Sequence, residues 1–270
     1  MLNPLKKTIF DLYCIYFEQV PLLKGKYRFA QMLNKLFGYA IYDINGIQIE
    51  LNPIGFIDRK IISGKGHDPI VAEIIYDKLS QGGTFLDVGA NVGYFSIMAA
   101  KMPNVKVFAF EPSPRELSRL YRNILINKCP NITVFPYGLS EEDKAMPLYI
   151  SGDSNPGLNS TIQIRPNSES IECQFVALDS LLAASTLSDV RVCKIDVEGF
   201  EISVLKGMAK SMQFMDKATF VVEVSAKFLP RLGYNQSDIY EFFESYGYQG
   251  KFGILKIGQY DEIFYKANIN

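Results

Sequence analysis

A glycine-rich turn between two apolar stretches is the first part of this sequence whose residues could do chemistry. Residues 84–88 form a short apolar run with one acid, Asp87, and a helix-like apolar segment follows the turn. The turn itself consists of Gly89, Ala90, Asn91, Val92 and Gly93. Glycine adopts positive φ angles without strain and lets a ligand lie directly against the backbone. The pattern therefore predicts a buried strand, a ligand-binding turn and a helix.

An acid at the end of the next apolar run narrows the class of ligand. Residues 105–110 are largely apolar, and Glu111 follows them. A carboxylate at the tip of the second strand of such a unit accepts hydrogen bonds from the two hydroxyls of a ribose. The ligand that these residues indicate is a nucleoside-type cofactor.

The spacing of the glycines separates two classes of cofactor. A dinucleotide-binding turn has the pattern G-x-G-x-x-G, whose second glycine lets the backbone approach a pyrophosphate. Here Asn91 takes the middle place, and the third glycine is missing. S-adenosylmethionine has no phosphate, and its ammonium and sulfonium groups suit the nearby acid Asp87. The turn favours methyl transfer over its alternative, a nicotinamide-dependent oxidoreductase.

A second set of ionisable residues alternates along a later apolar run. Lys194, Asp196 and Glu198 are two residues apart, so their side chains project to one face of a strand. Charged groups in an apolar strand are costly unless they are paired or used. Glu223, at the end of the following apolar run, reaches the same sheet edge. We expect Asp196 or Glu198 to orient or deprotonate an acceptor hydroxyl; an ion-pair network with Lys194 is the structural alternative.

Two variants of this site involve other groups. Asp196 and Glu223 would hold Mg²⁺ in the weaker variant, because a third ligand is not evident, and we assign no metal ligand from the sequence. His67 is the single histidine and a second candidate base, although a surface or capping role explains it better. Asp68 is explained as the N-cap of a helix that starts at Pro69.

The segments around these residues alternate between strand-like and helix-like patterns, which implies parallel strands with right-handed crossovers. Five core strands are predicted at residues 84–88, 105–110, 132–137, 191–197 and 220–224, and two final strands at 249–254 and 262–266. A β-hairpin-like insertion at residues 145–177 follows the third strand and contains a Gly/Ser/Asn/Pro loop at 151–159. The segment 151–170 is predicted to form part of the acceptor pocket.

The amino-terminal residues are predicted to form an extension. Residues 1–37 indicate two amphipathic, mildly cationic helices that cap the domain, with weak peripheral membrane contact as the alternative. Asn45-Gly46 between alternating residues predicts a β-hairpin at 39–51, and the stretch up to residue 62 is expected to be irregular or a further strand. We divide the chain into an extension, 1–66, and a catalytic domain, 67–270.

Composition excludes several classes of protein. The chain has 270 residues, a formal net charge of −1 and a pI near 6.0, which argues against bulk nucleic-acid binding. Its four cysteines form no metal-ligand pattern and suit a reducing, cytoplasmic location. The apolar runs are shorter than a membrane span, and we expect neither a signal peptide nor a transmembrane segment.

Several segments, taken in order, resemble the FkbM-type methyltransferases. They are 85–95 (FLDVGANVGYF), 110–112 (FEP), 138–140 (GLS), 178–182 (LDSLL), 194–199 (KIDVEG) and 222–224 (VEV). The resemblance covers roughly residues 67–266. Glu141 stands where the family pattern has an aspartate.

The resemblance implies a Rossmann-like class I methyltransferase sheet of seven strands, the last antiparallel, with helices on both faces. It implies O-methylation of a hydroxyl on a sugar, glycan or natural product, with S-adenosylmethionine at the carboxyl ends of the strands. A non-catalytic scaffold that binds this cofactor is the remaining alternative. The cofactor contacts that the resemblance implies are Asp87, Gly89, Ala90, Asn91, Gly93, Glu111, Pro112, Gly138, Leu139 and Asp196. The predicted catalytic residues are Lys194, Asp196, Glu198 and Glu223.

Overall fold

The computed structural model describes residues 38–52, 55–62, 68–150, 159–163, 168–252 and 258–266. Several expectations therefore fall wholly or partly outside the described residues, among them the helices of residues 1–37, the position of His67, most of the segment 151–170 and the end of the strand expected at 249–254. In the part of the chain that is described, no helix has the length and apolar character needed to cross a membrane.

The described chain begins with the expected β-hairpin. Strands β1 (Ala40–Ile44) and β2 (Ile47–Leu51) pair antiparallel across a turn in which Asn45 and Gly46 have φ angles of 54° and 80°. The side chains of Ile49 and Leu51 are buried in the same apolar core as Phe95. The hairpin is thus packed directly against the rest of the fold.

Helix α1 (Phe56–Ile62) replaces the irregular or strand segment expected before residue 62, so that expectation was wrong. Its Asp58 carboxylate is buried, accepts the backbone N–H of Asn52 at 2.6 Å and pairs with Arg119 at 2.6 Å. These contacts with distant residues fix the helix. The β-branched residues of this segment suggested a strand and gave no indication of the contacts that Asp58 makes.

The remaining elements follow in chain order. They are α2 (Pro69–Lys78), β3 (Gly83–Val88), α3 (Tyr94–Ala100), β4 (Val105–Phe110), α4 (Pro114–Asn127), β5 (Ile132–Phe135), β6 (Gly138–Leu139), β7 (Lys144–Tyr149), β8 (Ser170–Val176), α5 (Leu178–Leu181), α6 (Ala184–Leu187), β9 (Val190–Ile195), α7 (Glu201–Gly207), β10 (Thr219–Ser225), α8 (Gln236–Ser245), β11 (Tyr248–Gly250) and β12 (Gln259–Lys266).

Seven strands form the central sheet in the order β11-β12-β10-β9-β3-β4-β5. Strands β3, β4, β5, β9 and β10 are parallel, whereas β12 runs antiparallel to both β10 and β11. The insertion after β5 is a separate three-stranded sheet, β6-β8-β7. The expected Rossmann-like sheet, its antiparallel last strand and the β insertion are confirmed.

Apolar side chains alternate across the sheet and form two cores. Leu86 and Val88 of β3 pack in one core with residues of α7 and α8, including Ile202 and Phe243. Phe85 points to the opposite core, which contains residues of α2 and α3. Because successive residues of a strand face opposite sides, this burial confirms helices on both faces of the sheet.

Candidate active site

A cavity of about 720 Å³ lies at the carboxyl ends of the central parallel strands. This is the edge where ligands bind in open α/β sheets, and the volume lies in the usual range for a ligand pocket. The sequence-predicted residues that line it are Asp87, Gly89, Ala90, Asn91, Glu111, Pro112, Gly138, Leu139, Lys194, Asp196, Glu198 and Glu223. One cavity therefore brings together nearly all of the predicted cofactor and catalytic residues.

The glycine-rich turn presents its backbone to the cavity. The N–H groups of Gly89 and Ala90 both donate to the carbonyl of Phe110 at 3.0 Å. Gly89 has a φ of 83°, and a Cβ atom there would lie 2.0 Å from the backbone oxygen of Asp196. Glycine is therefore required at residue 89 because the turn touches the end of β9.

Gly93 has a packing reason to be glycine. It does not line the cavity, and a Cβ atom there would lie 2.4 Å from a methyl carbon of Leu120. Its φ is 85°. The missing side chain leaves room for packing between α3 and α4, and the expected contact of Gly93 with a cofactor stays a prediction.

Asp87 is buried beneath the turn. Its Oδ2 accepts a hydrogen bond from the Ser96 hydroxyl at 2.5 Å, and its Oδ1 has no hydrogen-bond partner among the described residues. Burial raises the pKa of this carboxyl group, and the positive charge of Lys194 opposes the rise. A buried oxygen without a partner in the cavity wall suits a positively charged donor on a ligand.

Glu111 holds the glycine-rich turn and the start of α4 together. Its Oε2 accepts the N–H of Asn91 at 2.9 Å, and its Oε1 accepts the N–H of Ser113 at 2.9 Å. Burial raises the pKa of Glu111 to about 8, although these two hydrogen bonds oppose the rise. Each carboxylate oxygen has a second lone pair, so both can still accept a ligand hydroxyl.

The short strand β6 closes another side of the cavity. Gly138 and Leu139 both line it, and a Cβ atom on Gly138 would lie 2.2 Å from the ring of Phe175. Gly138 is thus needed so that the aromatic ring of β8 can pack against β6. Glu141 is exposed, lies 3.6 Å from Lys206 and does not line the cavity.

The end of β9 carries the expected ionisable set. The buried ammonium of Lys194 lies 2.7 Å from Asp196 Oδ2 and 5.6 Å from the centre of the Phe95 ring. One carboxylate oxygen each from Asp196, Glu198 and Glu223 lie within 4.8 Å of one another. Glu198 has a φ of 53°, which is unusual for a residue with a side chain. We call Asp196, Glu198 and Glu223 the carboxylate trio.

Burial and repulsion between neighbouring negative charges raise the pKa values of Glu198 and Glu223. Burial raises the pKa of Glu198 to about 8, and the charges of Asp196 and Glu201 add to the rise. Burial also raises the pKa of Glu223 well above its usual range. Glu223 Oε1 accepts a hydrogen bond from the Gln259 amide, whereas Oε2 of Glu198 and Oε2 of Glu223 have no partner among the described residues.

The structure adds residues that sequence reasoning missed. Strand β12 places Asp261 opposite Glu223 and brings it, with Gln259 and Tyr260, into the cavity wall. Asp68 makes no side-chain capping bond. Burial and the nearby negative charges of Asp68 and Asp196 raise the pKa of Asp261 to about 7. These residues follow no local motif, and the strand pairing alone reveals them.

The insertion contributes to the cavity where it is described. Asn159 and Thr161 line the cavity wall, and the Asn159 amide donates to Glu116 at 3.0 Å. The rest of the loop expected to form the acceptor pocket, residues 151–158 and 164–167, lies outside the described residues, as does His67.

Comparisons with known proteins find a matching family profile, similar sequences and similar solved structures. The profile of the methyltransferase FkbM domain matches residues 87–249. The hexuronic acid methyltransferase AglP of Haloferax volcanii is 30% identical over 164 residues, which span 60% of this chain and 64% of that relative. Methyltransferase 1 of Beauveria bassiana is 25% identical over 189 residues, spanning 63% of this chain and 72% of the relative. Among solved structures, M. jannaschii TYW2 in complex with AdoMet has a TM-score of 0.46 and 15% identity, with 85% of this chain and 87% of that chain covered.

Proposed function

The chain belongs to the FkbM family of methyltransferases, and from this premise we propose that it transfers a methyl group from S-adenosylmethionine to a hydroxyl of a sugar. The observation that carries the proposal is one cavity whose lining contains Asp87, Glu111 and the carboxylate trio. The similarity to a protein named as a hexuronic acid methyltransferase supports a sugar acid as the acceptor.

The cofactor fits one side of this cavity. Asp87 Oδ1, which has no partner among the described residues, would accept the ammonium group, and Glu111 would accept the ribose hydroxyls. The turn at Gly89, Ala90 and Asn91 would lie against the nucleoside. When bound, S-adenosylmethionine supplies a methyl carbon on a positively charged sulfur, which is already activated for displacement.

The protein's own groups then have two tasks. They must align the acceptor hydroxyl with the methyl carbon, and they must accept its proton. Oε2 of Glu198 and Oε2 of Glu223 are available to accept the hydroxyl hydrogen. Lys194, at 2.7 Å, holds Asp196 and stabilises its negative charge. In this arrangement the trio orients the hydroxyl and receives the proton.

Mass spectrometry tests the proposed reaction. We expect incubation with S-adenosylmethionine and a panel of hexuronic acids and neutral sugars to give a product heavier by one CH₂ unit. S-adenosylhomocysteine should bind and NADH should not, because the turn lacks the glycine that a pyrophosphate needs. Binding of NADH in place of S-adenosylhomocysteine would indicate an oxidoreductase. Binding of the cofactor without any methylated product across the panel would favour a scaffold.

Cofactor affinity should depend on pH through Glu111. The pKa of Glu111 is about 8, so the group is mostly protonated at neutral pH, whereas ribose hydroxyls bind best to the ionised form. We expect the affinity for S-adenosylhomocysteine to rise about tenfold between pH 7 and pH 9, the change set by the ionised fraction. Isothermal titration calorimetry measures it. The Glu111→Gln variant should bind more weakly with a flatter profile, and equal profiles in both proteins would contradict the assignment.

A further inference from the structure

Acidic side chains outnumber basic ones in the described lining of the cavity. Its described lining contains three lysines, Lys60, Lys194 and Lys227. The acidic side chains in the same lining are Asp68, Asp87, Glu111, Glu116, Asp196, Glu198, Glu223 and Asp261. Buried charges of one sign are costly unless a group of opposite sign compensates them. The described lining therefore suits a cationic ligand in addition to its own three lysines.

The carboxylate trio forms one part of this acidic lining. Glu198 is 8% exposed, and its buried Oε2 has no hydrogen-bond partner among the described residues. Oε2 of Glu223 is buried without a partner in the same way. Two such oxygens belong to side chains that each bring one carboxylate oxygen within 4.8 Å of the others, so the trio contains unsatisfied acceptors.

The neighbouring groups that the structure describes do not neutralise the negative charge of Glu198 and Glu223. The ammonium of Lys194 donates to Asp196 Oδ2 at 2.7 Å. The Gln259 amide donates to Oε1 of Glu223, but it carries no charge. Within the described parts of the chain, the two unpartnered oxygens therefore have no positive group at hydrogen-bond distance.

We propose that Asp196, Glu198 and Glu223 bind one hard divalent cation of the Mg²⁺, Mn²⁺ or Ca²⁺ class. Oxygen ligands of one Mg²⁺ at about 2.1 Å lie at most about 4.2 Å apart, and those of Ca²⁺ at about 2.4 Å lie at most about 4.8 Å apart. The oxygens of the trio, all within 4.8 Å of one another, satisfy the Ca²⁺ limit pair by pair. Glu198 is the third ligand that the sequence did not reveal.

The role of this cation rests on the proposed function. A divalent cation at the trio would bind the acceptor hydroxyl through open coordination positions and lower the pKa of that hydroxyl. The acceptors that fit best then carry a second oxygen, such as a neighbouring hydroxyl or a carboxylate, that can complete the coordination. This requirement would select sugars and sugar acids over isolated alcohols.

Direct titration with Mn²⁺ tests the site without cofactor or acceptor. Electron paramagnetic resonance of the full chain should show one bound Mn²⁺ that Mg²⁺ displaces. Glu198→Gln and Glu223→Gln should each weaken Mn²⁺ binding at least about tenfold, since each removes one charged ligand. Glu172→Gln is the matched control, because Glu172 is an exposed acid of β8 outside the cavity, and its affinity should equal that of the parent.

The outcomes separate the cation site from the methyltransferase activity. Failure of the parent protein to bind Mn²⁺ at about 1 mM, the weak end of protein carboxylate sites, would overturn the proposal while leaving methyl transfer to be judged by its product. Equal affinities in parent, Glu198→Gln and Glu223→Gln would overturn it as well, because the ion would lie elsewhere. If the parent and Glu172→Gln bind one Mn²⁺ and the trio variants do not, the result supports the site even if no sugar is methylated.

Discussion

Replacing Glu198 by glutamine should lower turnover by roughly 10²–10⁴-fold, the usual scale for a group that manages a proton in the transition state. Oε2 of Glu198 is buried without a partner among the described residues, so it is available to the acceptor. Burial already disfavours the charged form of this side chain. The neutral amide should therefore leave the thermal stability of the protein close to that of the parent.

Measurements on the same variant separate catalysis from binding and folding. We expect the affinity of Glu198→Gln for S-adenosylhomocysteine to stay near the parent value, because Glu198 lies apart from Asp87 and Glu111 in the proposed site. Asp196→Asn is a useful comparison, since it also removes the ion pair with Lys194 and should lower stability. Glu172→Gln should be fully active. A fully active Glu198→Gln enzyme would remove this residue from the mechanism.

The second large effect is expected at Glu111. Glu111→Ala should weaken S-adenosylhomocysteine binding by roughly 2–4 kcal/mol, because two charge-assisted hydrogen bonds to the ribose are lost. The loss corresponds to about 30–1,000-fold in dissociation constant. The variant also removes the acceptor for the N–H groups of Asn91 and Ser113, which loosens the turn against the start of α4.

Calorimetry of the variant and a control decides this prediction. Glu141→Gln changes an exposed acid that does not line the cavity, so its affinity should match that of the parent. A Glu111→Ala protein that is folded and binds within about threefold of the parent, less than 1 kcal/mol, would contradict the ribose assignment. The circular dichroism spectrum of each variant reports whether the fold survives.

The sequence by itself determined the order of the elements and one half of the site. Apolar periodicity and the glycine-rich turn located β3, α3 and β4, and the structure has them where they were expected. Asp87 and Glu111 could be found because each lies next to a strand end in the same local unit. Such signals are local: they depend on residues within one strand–turn–helix segment, where backbone geometry and burial follow directly from residue type.

The tertiary structure alone decided which distant groups meet. Asp261 joins the cavity because β12 pairs antiparallel with β10. The sequence placed Glu198 and Glu223 at one sheet edge, and the parallel pairing of β9 with β10 makes them neighbours there. Gly93 packs against Leu120, and Asp58 fixes α1 through Arg119, a residue of α4. These contacts depend on strand register and on burial between segments far apart in the chain. Periodicity within a single segment cannot specify them, because it determines which face of an element is apolar but not which element will cover that face.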